Sequence, residues 1–436
     1  MTALPKSARR RILLTATASA LALGAGVAPA AALPMAAQPP TTAPPFSTPN
    51  TDACPFRQSP PPAIDLSEAP RPGEQAPAPV PVPDEPVGGE ALGSCGIITA
   101  PGTPPLPADI SAHGWVLSDL DSGQILAAKD PHGRYRPAST IKILLSLVAL
   151  DELDLNHTYV ADAADASMEG SSVGLGAGGS YTNLQLMQGL VMRSGNDAAH
   201  ALATQLGGEA ATVEKMNAKA RSLGALDTRT ASVSGLDGPG MSTSPYDLAL
   251  FFRTAMQNPT FAQLISTDTV QFPGHPADPT KPEDKPVEPH AIYNDNLLLA
   301  NYPGALGGKT GYTDDARQTF VGGAQRDGRR LAVTLMDADV LPIRPWEQAS
   351  RLLDYGFGLD RTTAVGTLVD PVPQSDAPAV EVAGPETHGP GGMDLASGSD
   401  LPNKDIAGRV AIGLAGSAVV VGLLVWARAL TRRRRR

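Results

Sequence analysis

Of the chain's 43 prolines, 21 fall between Leu33 and Pro107. Proline fixes φ and brings no backbone N–H, so such a stretch builds neither helix nor central strand. Whatever core this 436-residue chain folds has to come from elsewhere. The balance of apolar and polar residues suited to one core is confined to Ala108–Gly358, an ordinary size for one domain. The net charge of −10 and an aromatic content of 4% argue against a nucleic-acid partner.

The two ends have their own signatures. Lys6 and Arg9–Arg11 precede the apolar run Ile12–Val27, which ends in the small residues Ala28-Pro29-Ala30 and Ala30-Ala31-Ala32. This pattern predicts a signal peptide over 1–32. At the other end, Val410–Ala427 is free of charge and is followed by Arg428 and Arg432–Arg436. It predicts a transmembrane helix over 409–427 with a basic cytoplasmic tail over 428–436. Between these ends the expected order is a proline-rich extracytoplasmic segment (33–107), a core domain (108–358) and a tether (359–408). The protein is then secreted across the cell membrane and anchored in it, with its core domain outside. The only cysteines, Cys54 and Cys95, fit a disulfide that closes a loop in the proline-rich segment; free thiols are the alternative.

Within the core, Trp115–Leu117 and Ile125–Leu126 flank Asp121-Ser122-Gly123, a hairpin pattern. Helical periodicity follows over Ser139–Leu150, Leu184–Leu206 and Ser244–Met256. A second hairpin is expected from Thr319–Ala324 and Arg330–Met336 around Arg326-Asp327-Gly328, then a helix over Trp346–Tyr355. Hairpins at both ends with helices between them predict an α+β fold whose antiparallel sheet is assembled from both ends of the core.

Three short motifs carry chemistry. In Ser139-Thr140-Ile141-Lys142, a hydroxyl and an amine three apart share one face of a helix, so the lysine can take the serine's proton. Ser194-Gly195-Asn196 offers a second hydroxyl to relay a proton and an amide to hold the lysine and a substrate carbonyl. Lys309-Thr310-Gly311 offers a cation and hydroxyl for a carboxylate, and a glycine against which a substrate backbone can lie. Alone, each is an ordinary cap or turn. Together they occur once each and in order, 55 positions from Ser139 to Ser194 and 115 from Ser194 to Lys309.

This ordered set resembles that of the penicillin-binding proteins and serine β-lactamases. Ser194–Ala199, Gly308–Ala316, Ser234-Gly235-Leu236-Asp237 and Asp247-Leu248-Ala249 resemble the low-molecular-mass D-Ala-D-Ala carboxypeptidases in particular. The proline-rich lead and C-terminal span are similar to those of mycobacterial and other actinobacterial members. The resemblance spans about Gly114–Gly358. It implies a β-lactamase/transpeptidase-like fold, an antiparallel sheet flanked by helices with a helical subdomain. Ser139 is then the acylated nucleophile, Lys142 its base, and Ser194 and Asn196 the relay and holder. Lys309 and Thr310 recognise the terminal carboxylate, with Gly311 beside them. The backbone N–H groups of Ser139 and Tyr312 form the oxyanion hole. The implied substrates are peptidoglycan stem peptides, with β-lactams as covalent inhibitors and no cofactor.

Other readings share these residues. A class A-like β-lactamase needs a glutamate between the second and third motifs to activate water, and none occurs from Lys215 to Pro282. A non-catalytic wall-binding scaffold would tolerate loss of the motif residues, and all are present. His275 and His290 bracket a Pro/Lys/Glu-rich loop, Gly274–Pro289, without the spacing of metal ligands; that loop is expected to rim the site.

Overall fold

The computed structural model describes residues 46–371. The expected signal peptide, membrane span and basic tail lie outside these residues, as does all but the start of the expected tether. The described chain forms β1 (Ile97–Thr99) and then the hairpin β2 (Gly114–Asp119) and β3 (Gln124–Lys129). A largely helical stretch follows: α1 (Lys142–Glu152), β4 (Thr158–Val160), α2 (Ala163–Ala166), β5 (Ser180–Thr182), α3 (Asn183–Met192), α4 (Asn196–Gln205), α5 (Glu209–Ser222), α6 (Pro245–Ala255) and α7 (Pro259–Ile265). A ribbon of β6 (Thr269–Phe272) and β7 (His290–Tyr293) and the short α8 (Leu297–Asn301) lead back to the sheet. The chain then adds β8 (Ala305–Thr313), β9 (Arg317–Arg326), β10 (Arg329–Ala338), α9 (Pro345–Phe357) and β11 (Gly366–Thr367).

The main sheet runs β1-β3-β2-β10-β9-β8, with β11 sharing the outer edge of β3. All its pairings are antiparallel. The expected junction of the two chain ends is the β2–β10 ladder, where Leu117 faces Val333. Trp115, Leu117, Leu331, Val333 and Leu335 pack with Ala349, Leu352 and Leu353 of α9 on one face. Val116, Ala332 and Met336 join Phe251 and Phe252 of α6 and Leu144 of α1 on the other. Because helices cover both faces, β2 and β10 read as near-continuous apolar runs rather than alternating ones. The Asp-Gly hairpin forms as expected: Asp327 (φ 49°) and Gly328 (φ 71°) both take the left-handed backbone that matches strand twist.

The structure revises three expectations. The helical run Leu184–Leu206 is two helices. Ser194 adopts φ 58°, which a helix cannot contain, so α3 stops and α4 restarts at Asn196. The tether does not begin at residue 359, since Gly366 pairs with Ile125 and Leu368 is buried.

The third concerns the proline-rich segment, which wraps the core from residue 46 onward. Proline keeps its carbonyl, and core donors take up those of this segment. The buried Arg134 guanidinium donates to the carbonyls of Gln58 (3.3 Å), Pro81 (3.0 Å) and Val80. Both ring nitrogens of His132 are engaged, Nε2 with the Val87 carbonyl at 2.9 Å and Nδ1 with Asp227 at 2.7 Å. Glu68 pairs with Arg136, and the Ile64 amide donates to Asp315 at 2.6 Å. Cys54 and Cys95 are bonded to each other. The boundary expected at 107/108 is therefore not a structural one.

Candidate active site

Ser139 lies in a 3-10 turn, Ala138–Ile141, that runs into α1, not in the α-helix itself. In a 3-10 turn residues i and i+3 eclipse, which stacks Ser139 over Lys142 and brings Nζ to 2.8 Å from Oγ. Lys142 is 1% exposed. Its Nζ also donates to Asn196 Oδ1 at 2.7 Å and to the Ser234 carbonyl at 2.6 Å. Burial pulls its pKa well below the usual lysine value, and nearby Lys309 pulls it further; Asp197 and Asp295 oppose them. In its neutral form the amine has two N–H groups for the two carbonyl-type oxygens and one lone pair for the Ser139 hydroxyl.

Asn196 opens α4 and is held at its other end, where Nδ2 donates to the Glu169 carbonyl at 2.6 Å. An amide nitrogen has two hydrogens, so one remains for a substrate carbonyl. Asp197 gathers the preceding loop by accepting from the amides of Val173 (3.0 Å), Gly174 (2.8 Å) and Leu175 (2.9 Å) and from the Ser172 hydroxyl (2.6 Å). The His275 ring packs against Gly176 of this loop, where a β-carbon would stand 2.1 Å from it. The Gly274–Pro289 loop thus rests on the loop that supports Asn196. Ser194, at the left-handed bend before α4, is 6% exposed, and its hydroxyl makes no hydrogen bond among the described residues.

The third motif lies on β8, the edge strand of the sheet. A β-carbon at Gly311 would stand 2.4 Å from Thr319 Oγ1, 2.9 Å from the Ser139 nitrogen and 3.0 Å from the Thr140 nitrogen. The Thr319 hydroxyl in turn donates to the Pro137 carbonyl at 2.7 Å, tying β9 to the turn that carries the nucleophile. Gly235 (φ +89°) closes the other side, its missing β-carbon only 1.9 Å from the Ala138 carbonyl oxygen. The three motifs therefore meet at Ser139.

One side chain differs from its expected placement. Lys309 is 1% exposed and turns its Nζ back onto the Thr310 carbonyl at 2.8 Å; burial lowers its pKa, with Asp295 opposing. The cation beside Thr310 in the open groove is instead Arg344, which lines a cavity of about 480 Å³ with Thr310, Gln318 and Trp346. The Tyr312 side chain is 58% exposed and donates to Asp314 at 2.7 Å. No motif pointed to Arg344, which precedes Pro345 at the start of α9, or to the Ser234 carbonyl, since any residue supplies one. Among the described residues, no group of His, Cys, Asp and Glu is arranged to hold a metal ion.

Residues 100–340 match the family of D-alanyl-D-alanine carboxypeptidases, peptidase S11. The D-alanyl-D-alanine carboxypeptidase DacB2 of Mycobacterium tuberculosis is 50% identical over 271 residues, 61% of this chain and 89% of that one. A D-alanyl-D-alanine carboxypeptidase of Streptomyces sp. strain K15 is 30% identical over 283 residues, 62% of this chain and 95% of that one. Among solved structures, a D-alanyl-D-alanine carboxypeptidase from M. tuberculosis superposes with a TM-score of 0.57 at 49% identity, over 62% of this chain and all of the other. The Streptomyces K15 DD-transpeptidase gives 0.54 at 29% identity, over 59% of this chain and all of the other. With a match across more than half its length and the three motifs gathered around one serine, the chain belongs to the D-alanyl-D-alanine carboxypeptidase family.

Proposed function

We propose that this enzyme removes the terminal D-alanine from peptidoglycan pentapeptides through an acyl-enzyme on Ser139. The observation that carries the reading is the Lys142 amine, buried, 2.8 Å from Ser139 Oγ, with two oxygen acceptors for its N–H groups. Lys142 takes the hydroxyl proton as Oγ attacks the carbonyl carbon of the penultimate D-alanine. The Ser139 and Tyr312 backbone N–H groups receive the developing oxyanion. The proton then passes to the leaving amine, by way of Ser194, as the C–N bond breaks. Water attacks the ester, and Ser139 is regenerated. Thr310 and Arg344 hold the substrate's terminal carboxylate in the groove they share, while buried Lys309 keeps the field positive and Lys142 neutral.

Two measurements test this. Intact mass after penicillin treatment should show one adduct on the wild type and none on Ser139→Ala. A pentapeptide should release free D-alanine; cross-linked product in its place would sink the carboxypeptidase reading in favour of amine attack. That second outcome has a precedent in name, since the superposed Streptomyces structure is described as a DD-transpeptidase.

The signal pattern of residues 1–32 and the apolar run Val410–Ala427 support an extracytoplasmic catalytic body anchored in the cell membrane. Among the described residues no helix is long and apolar enough to cross a membrane. Retention of the protein in the membrane fraction, lost on truncation after residue 405, tests the anchor.

A further inference from the structure

We infer that the proline-rich segment sets the position of the nucleophile, and that Glu68 is the positioning residue through which it does so. The inference rests on the acyl-enzyme proposed above, since that reaction needs Ser139 Oγ held against Lys142. Ser139 follows directly on Arg134, Tyr135, Arg136, Pro137 and Ala138. The segment grips the first three of these one after another. The Arg134 amide donates to the Phe56 carbonyl at 2.8 Å, and its guanidinium to the carbonyls of Gln58, Val80 and Pro81. The Phe56 ring stands edge-on to Tyr135, with centroids 5.3 Å apart. Arg136 meets Glu68 in a two-point pair, Nε to Oε1 and Nη2 to Oε2, the latter at 2.8 Å.

The Arg136 pair has the most direct line to the chemistry. Arg136 is 3% exposed and precedes Pro137, whose carbonyl is the group that Thr319 holds. A buried guanidinium needs a counter-charge where it stands, and Glu68 supplies it. Glu68 is itself pinned in place, because the Ile64 amide and the Ser67 hydroxyl (3.1 Å) both donate to Asp315. Asp315 lies in the turn between β8 and β9. Residues 64–68 thus join the turn that carries Ser139 to the hairpin whose Gly311 packs against it. The family match begins at residue 100, so this grip lies outside it.

Two other carboxylates act on the Arg136 charge, Asp315 and Asp237. Asp315 is engaged by the proline-rich segment. Asp237 Oδ1 is buried without a hydrogen bond among the described residues, and so is Arg136 Nη1. Asp237 ends the run that starts at Ser234, whose carbonyl accepts from Lys142 and whose Gly235 lies against Ala138. Without the Glu68 charge, the guanidinium is drawn toward Asp237, and the turn behind it shifts relative to Lys142. Glu68 acts through Arg136 and the backbone, without touching substrate. Its effect therefore falls on the acylation step and not on the affinity of the first complex.

The test uses the full chain and fluorescent penicillin at rising concentration, so that saturation separates the affinity of the first complex from the acylation step. Glu68→Gln keeps the shape of the side chain and removes its charge. It should slow acylation about tenfold, the cost of a shift of a fraction of an ångström, with affinity changed by less than about twofold. Intact mass should still show one adduct per chain. Glu68→Asp, which keeps the charge but falls one methylene short, should recover part of the rate. Glu74→Gln, at an exposed carboxylate of the same segment with no side-chain partner among the described residues, should match the wild type. Unslowed acylation in Glu68→Gln would overturn the inference, as would no recovery in Glu68→Asp. Fewer labelled chains reacting at the wild-type rate would overturn it too, by showing that Glu68 serves folding alone. No adduct on the wild type would overturn the acyl-enzyme itself.

Discussion

The α-carbon of Gly311 on the edge strand and the backbone nitrogen of Ser139 are packed so closely that a β-carbon at 311 would come within 2.9 Å of that nitrogen. The spacing between nucleophile and edge strand is set by the absence of a side chain. Gly311→Ala should therefore displace the strand or the turn while leaving the rest of the fold intact. Misplacement of about 1 Å can lower reactivity on the order of 100-fold. We expect acylation by fluorescent penicillin to fall by about that factor, with little change in the thermal unfolding midpoint.

The lowered pKa of Lys142 fixes the sign of a pH profile. The reactive form is the neutral amine, so acylation should rise with pH through the folded-state pKa of Lys142 and then level off, well below the range of free lysine. Lys142→Arg puts a permanent charge in that place and cannot give up its proton at these pH values. It should lose on the order of 100- to 10,000-fold in acylation rate, the usual range for a proton-transfer catalyst.

Arg344 is expected to act through the substrate's carboxylate. Arg344→Leu should lower kcat/KM for the pentapeptide by roughly 10- to 100-fold, the equivalent of one charge-assisted hydrogen bond. The same peptide with its C-terminus amidated, however slowly it turns over, should lose little more in the variant than in the wild type.

The Cys54–Cys95 bond spans 41 positions. By loop-closure entropy, a double Cys→Ser variant should lose up to about 4 kcal/mol, read from denaturant unfolding of the full chain.

Asp130 supplies a pH dependence of stability with a definite sign. Burial pushes its pKa up to about 6, against the hydrogen bond from Tyr135, from an ordinary value of 3.8. The folded state therefore holds this proton more tightly than the unfolded state. Its contribution is greatest below pH 3.8, is lost as pH rises to about 6 and is flat beyond. Asp130→Asn keeps an acceptor for Tyr135 and suits the left-handed φ of 45°. It should flatten part of the change in melting temperature between those two pH values.

Residues whose role follows from side-chain type were legible in the sequence. Ser139, Lys142, Asn196 and Gly311 were named from motif chemistry, and the hairpins at Asp121–Gly123 and Arg326–Gly328 from turn chemistry. Groups whose role comes from tertiary placement were not. The Ser234 carbonyl has no side-chain signature, and Arg344 is brought beside Thr310 only by the docking of α9. Periodicity cannot register a single left-handed residue, so the bend at Ser194 passed for continuous helix. The proline-rich segment was read by the donors it lacks. Its carbonyls, taken up by Arg134 and His132, made it part of the body.

The β2–β10 ladder joins residues more than two hundred positions apart, as Leu117 opposite Val333 shows. Ser139 is translated long before β8 and β10, and its partners arrive with the last third of the catalytic body. Contacts of such range make folding slow. A nascent or truncated chain ending before residue 329 carries the nucleophile, its lysine and all three motifs, yet has no central strand to hold β9 and β8 against them. Reactivity toward β-lactams therefore reports completion of the whole sheet, and a labelled penicillin serves as a folding probe for this enzyme as much as an inhibitor.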